Sequence, residues 1–188
     1  MNTPAHLALN LAVLGKDKKP YDWLIISIGA LLPDLPLFAM FFMRGILSEP
    51  VRQTLMVTSD VLNSVPIFAF AIIAGWLLKV RMLWLFAASS LLHIAFDLPL
   101  HAQDAHTHFF PVTDWVFNSP VSFWDANHFG TVFGTIEGVV FMVAAVIIWR
   151  RTKTWWGKSA LIALSVIYLF TFIHFLGHAL GGGHWAVI

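Results

Sequence analysis

Residues 92–108 read LHIAFDLPLHAQDAHTH. The stretch begins as an apolar, membrane-type helix and passes without a break into metal-ligand side chains. His93, Asp97, His101, Asp104 and His108 follow one another at steps of four, four, three and four. Residues three or four apart share a helix face, so this spacing predicts a His/Asp stripe along one side of a greasy segment. Pro99 lacks an N–H and disfavours helix at the residue before it. The stripe is therefore expected to kink or end near Leu98, as two short arms meeting at a bend. Neutral imidazoles and carboxylates are ligands for Zn²⁺ and similar ions. A polar helix end reaching water is the bland alternative. Against it, ionisable groups at membrane depth are costly and mostly functional.

The rest of the chain fits a bilayer. Of 188 residues, 59% are hydrophobic and 11% charged, against about 25% charged in a soluble domain. The length suits a single integral-membrane domain over 1–188. A net charge of +1 argues against a nucleic-acid partner. The absence of cysteine excludes disulfides, thiolate zinc sites, iron–sulfur clusters and covalent c-type haem.

Taken in order, residues 4–14 predict a short helix with Thr3 as candidate N-cap, Pro4 in the first turn, and His6 and Asn10 on one face. Residues 24–43 are long enough to span ~30 Å of hydrocarbon, with Asp34 inside a break made by Pro33 and Pro36. Residues 44–60 are expected to be a polar connection, with Asp60 capping the helix over 61–78. A helix over 82–100 leads into the opening stripe. Residues 101–130 hold no Lys or Arg but many His, Asp and aromatic residues, which predicts an interfacial aromatic flap. Helices over 131–149 and 159–176 follow, the first carrying Glu137 and the second ending in His174 and His178. The glycine-rich tail with His184 is set aside. The fold expected is an all-α polytopic membrane bundle of about five to six transmembrane or half-membrane helices.

Threading these helices alternately puts Lys16, Lys18, Lys19, Lys79, Arg81, Arg150, Arg151, Lys153 and Lys158 on one side and only Arg44 and Arg52 on the other. That imbalance marks the first side as cytoplasmic in a bacterial-type inner membrane, with both termini and the 101–130 loop outside. The same threading brings His6, Asp34, His93, Asp97, His101 and His174 towards the outer face as candidate metal ligands. Glu137 and Asp104 are the candidate catalytic carboxylates. Thiolate-free donors suit Zn²⁺ first, with Mn²⁺ or Fe²⁺ as alternatives. A bound metal acidifies water and stabilises a phosphoryl or acyl transition state. No G-x-S-x-G, glycine-rich phosphate loop or H-E-x-x-H is present.

The T-P-A-H of residues 3–6, the L-L-P-D-L-P of 31–36 and the H-I-A-F-D-L-P-L-H of 93–101 resemble the membrane-bound metal-dependent hydrolases of the YdjM type. The match runs in order from residue 3 to about residue 125, and includes the F-F-P of 109–111 and the S-P of 119–120. The H-x-x-x-D…P-x-H core is similar, more distantly, to zinc-dependent phospholipases C. The resemblance implies His6, Asp34, His93, Asp97 and His101 as metal ligands. It departs at Ser59–Val65, which read SDVLNSV where the family pattern has H-R-G-x-T-H-S, so Asn63 stands in place of a His. A phosphoester or lipid-linked substrate at the outer face is the expectation. Two other classes compete: a proton- or ion-conducting protein using the same carboxylate–imidazole chain, and a haem b protein with axial histidines.

Overall fold

Prolines and short polar breaks punctuate the apolar runs, and the helices begin and end at them. The computed structural model describes residues 1–16 and 19–180, so Lys18 and the tail with His184 lie outside the described residues. Every regular element among the described residues is helical: α1 (Thr3–Leu14), α2 (Pro20–Leu31), α3 (Leu35–Phe42), α4 (Glu49–Leu62), α5 (Val65–Leu77), α6 (Arg81–Asp97), α7 (Gly130–Arg151) and α8 (Trp155–Ala179). Short 3-10 turns lie at Leu32–Asp34, Leu98–Leu100 and Ala126–His128. Pro20–Phe42, Arg81–Leu100, Gly130–Arg151 and Trp155–Ala179 are long and apolar enough to cross a membrane. Helices α4 and α5, bent by 54° at their junction, make a fifth such run if they form one span. The chain is an all-α membrane protein. At 12 residues, α1 reaches only about 18 Å at 1.5 Å per residue, too short to cross.

Three expectations need correction. Residues 49–62 are helix rather than polar connection. Their start signals are Ser48, Glu49 and Pro50, and Arg52 and Gln53 bind back to the Glu49 carboxylate at 2.7–3.1 Å on an exposed face. Asp60 is not a cap. It lies inside α4 and accepts a hydrogen bond from Thr107, while Ser64 caps α5 by accepting from the Ile67 N–H at 3.2 Å. Asn2, not Thr3, is the N-cap residue of α1.

The described chain divides into two compact units. One comprises α1, residues 99–104 and the chain from Asn118, with α7 and α8. There α1 packs on α7 and α8, and Phe141 stacks on Tyr168 with ring centroids 3.8 Å apart. Gly138 lets the Phe172 ring approach to where a Cβ would stand at 2.9 Å. Arg151 closes the end of α1, donating to the Ala12 carbonyl at 2.6 Å.

The other unit comprises α2 to α6 and residues 105–117. Phe68, Ala87 and Ile94 form its apolar core. Helices α2 and α6 cross closely because Gly29 has no side chain: a Cβ there would meet the Phe86 carbonyl oxygen at 2.6 Å and Ser89 Cβ at 2.7 Å. Pro33 cannot supply the N–H that would serve the Gly29 carbonyl. Ser90 Oγ donates to it instead at 3.2 Å, and Ser89 Oγ donates to the Ile26 carbonyl at 2.6 Å. The Ser90 hydroxyl on α6 thus stands in for the ladder at the end of α2, as a backbone in hydrocarbon requires, and Ser89 adds a second bond between the two helices.

Candidate metal centre

The break at Pro33 fixes Asp34 in a 3-10 turn facing α6. One turn beyond Ser89 and Ser90, His93 continues the same α6 face. Its Nδ1 lies 2.8 Å from the Ala30 carbonyl. A carbonyl can only accept, so Nδ1 carries the proton and Nε2 is turned away from α2. Nε2 stands 3.5 Å from Asp34 Oδ1 and 3.6 Å from Asp97 Oδ2. His93 is fully buried, and Asp97 and Asp34 are 2% and 8% exposed. These separations exceed an ordinary N–H···O bond. Two ligand atoms about 2.0–2.2 Å from one ion at a tetrahedral angle lie roughly 3.3–3.6 Å apart. Each carboxylate therefore stands from Nε2 at a separation that two ligands of one divalent cation have, and imidazole and carboxylate are suitable donors for such an ion. The Ala30 carbonyl fixes the imidazole as an outer-sphere partner of a metal-bound histidine does.

Around this triad, the α4–α5 break is tied to the α2–α3 break. Asn63 Nδ2 donates to the Pro33 carbonyl at 3.3 Å and to the Ser59 carbonyl at 3.0 Å. With its nitrogen so committed, Asn63 Oδ1 is a buried acceptor without a hydrogen-bond partner among the described residues, as is Ser59 Oγ one turn earlier. Residues 105–117 dock on the same break. His108 Nδ1 donates to the Asn63 carbonyl at 3.1 Å, the Val65 N–H donates to the His108 carbonyl at 2.8 Å, and Ser64 Oγ donates to the Phe110 carbonyl.

The stripe is divided by the fold. The helix ends at Asp97, near Leu98 as expected, but the second arm is not helical: only a 3-10 turn over 98–100 follows. Only His93 and Asp97 therefore share a helix face. His101 and Asp104 belong to the other unit, where His101 Nδ1 lies 2.9 Å from Asp104 Oδ2 and Trp124 Nε1 donates to that oxygen at 3.2 Å. Burial raises the Asp104 carboxyl, and the His101 hydrogen bond and charge more than offset this, holding it below the ordinary carboxylate range.

The remaining candidates also lie in that unit. His6 and Asn10 are fully buried on one face of α1. The Glu137 carboxylate accepts from the Asn2 backbone N–H at 3.2 Å, from Asn2 Nδ2 at 2.7 Å and from the Tyr168 hydroxyl at 3.4 Å. The His174 ring packs on those of Phe175 and His178, with centroids 5.2 and 4.9 Å away. Sequence reasoning gave no role to Ser89 and Ser90, although both precede His93 at three- and four-residue steps on its own face. No family model, curated protein or solved structure matches this chain.

Proposed function

We propose that the chain is a membrane-embedded, metal-dependent hydrolase whose ion is held by Asp34, His93 and Asp97. One observation carries the reading. With Nδ1 donating to Ala30, a neutral His93 aims a lone pair at two carboxylates across 3.5 and 3.6 Å. Lone pair against carboxylate is repulsive, and burial strengthens the repulsion. A positive charge among the three groups removes it. Two carboxylates balance a dication, and the imidazole adds the nitrogen ligand that Zn²⁺, Mn²⁺ or Fe²⁺ accepts.

A bound ion of this kind lowers the pKa of its water towards about 7 and polarises an ester. The chain's own residues supply the rest. Asp34 and Asp97 provide fixed negative charge, and Ala30 sets the imidazole tautomer. Asn63 Oδ1 and Ser59 Oγ offer buried oxygens to a water or substrate donor. The hydrolase assignment rests on the resemblance of residues 3–6, 31–36 and 93–101. An amphipathic or lipid-linked phosphoester suits a site within membrane helices. The Lys/Arg imbalance supports a plasma-membrane protein with this site towards the extracytoplasmic side, because Asp97 closes the end of α6 remote from Arg81.

The same geometry favours one second reading. A proton on His93 would also neutralise the triad, making a carboxylate–imidazolium–carboxylate relay for ion or proton conduction. Purified protein tested with a chromogenic phosphodiester, before and after Zn²⁺ or Mn²⁺ addition, separates the two. The hydrolase reading expects metal-dependent turnover that Asp97→Asn abolishes. Metal-independent proton flux in proteoliposomes, lost in the same variant and without hydrolysis, would establish the relay instead.

A further inference from the structure

A groove of about 450 Å³ runs between α7 and α8, remote in sequence from the triad. Val146, Ile162, Val166 and Leu169 line it, with Ser165 as an isolated polar group. These four apolar side chains are each about half exposed, so the groove opens sideways along two helices that are long and apolar enough to span a membrane. Its end is different. Trp149 and Arg150 line it there, and Lys158 Nζ sits 4.7 Å from the Trp149 ring centroid. Arg151 and Lys153 follow on the same hairpin turn, and residues 138–180 contain no Asp or Glu. Nothing on the hairpin neutralises these cations. Trp155 and Trp156, 60% and 69% exposed and stacked on each other, mark the headgroup level beside them.

A hydrocarbon slot closed at headgroup depth by cations that have no carboxylate on their own hairpin is complementary to one kind of molecule. We propose that the α7–α8 groove binds an anionic phospholipid. One acyl chain lies along Val146, Ile162 and Val166, and the phosphate meets Arg150 and Lys158. Arginine and lysine reach the interface from the last apolar turn by extending their stems along it. Basic pockets between membrane helices select anionic headgroups on this principle.

The test uses the full-length protein in detergent, checked for an unchanged melting temperature, with lipid adducts counted by native mass spectrometry. Phosphatidylglycerol is expected to be retained at least tenfold more than phosphatidylcholine of the same chains. The double variant Arg150→Gln, Lys158→Gln should lose that preference. Ile162→Trp, which fills an exposed part of the groove, should reduce retention of both lipids. Glycerophosphate, which has the anion without the chains, should not bind detectably. Equal retention of the two lipids by the wild type, undiminished phosphatidylglycerol in the double variant, or glycerophosphate binding as strong as the lipid would each overturn the site.

Discussion

Ser90 on α6 donates its hydroxyl to the carbonyl of Gly29 on α2 at 3.2 Å, the carbonyl that Pro33 leaves without its helical donor. The break that positions Asp34 is thus closed by a side chain from the helix that carries His93. Replacing Ser90 with Ala leaves a buried acceptor unsatisfied, at a cost of about 1–3 kcal/mol. Thermal unfolding in detergent should show the loss, and adding Pro33→Ala should recover part of it by returning an N–H. A Ser90→Ala protein as stable as the wild type would show that the carbonyl needs no donor.

Gly29 sets the distance between those helices. Gly29→Ala places a methyl 2.6 Å from the Phe86 carbonyl oxygen and 2.7 Å from Ser89 Cβ. Separating the helices should cost about 1–3 kcal/mol or more. Gly45→Ala, where nothing lies within 4 Å, should be neutral. Equal melting temperatures for the two variants would contradict the packing.

Asp125 accepts from the Asn127 N–H at 2.9 Å and pairs with His128 Nδ1 at 2.7 Å. The Asn127 backbone hydrogen bond, then that of His128, holds its carboxyl below the ordinary value. A depressed carboxylate stabilises the fold above its unfolded pKa of about 3.9, and loses that contribution as pH falls through its folded value. The stability difference between wild type and Asp125→Ala should therefore be full at pH 6 and shrink below about pH 4. A difference that grows on acidification would have the wrong sign.

Helix α7 is long and apolar enough to cross the membrane once, so its two ends are expected to face opposite sides. Cysteine introduced at exposed Asn127 should react with an impermeant reagent outside intact cells. Cysteine introduced at exposed Lys153 should react only after permeabilisation. Labelling of both from one side would deny that α7 is a span. The reverse pattern would invert the orientation and leave the site unchanged.

Composition and apolar run length made most of the helices legible. The His93–Asp97 pair was legible because one uninterrupted turn before Pro99 holds both. The extended stripe was not, because Pro99 ends the helix and the four-residue step has no meaning in coil. Helix α4 was hidden by its polar surface, where the Glu49–Arg52 pairing supports a helix that hydropathy reads as loop. The approach of Asp34 to His93, 59 residues away, depends on the crossing of α2 and α6. The carbonyls of Gly29, Ala30 and Pro33 that fix Ser90, His93 and Asn63 are backbone groups, which no side-chain pattern announces.

The most direct test is the metal content of protein purified without chelator, measured by elemental analysis on the wild type, Asp97→Asn, His93→Ala and Asp125→Ala. Asn keeps an acceptor oxygen at position 97 but removes the charge that balances a dication. About one equivalent of Zn²⁺ or Mn²⁺ is expected in the wild type and in Asp125→Ala, and none in the other two. Wild-type protein that is metal-free and indifferent to added Zn²⁺ or Mn²⁺, or Asp97→Asn protein with its full complement, would contradict the proposed metal site.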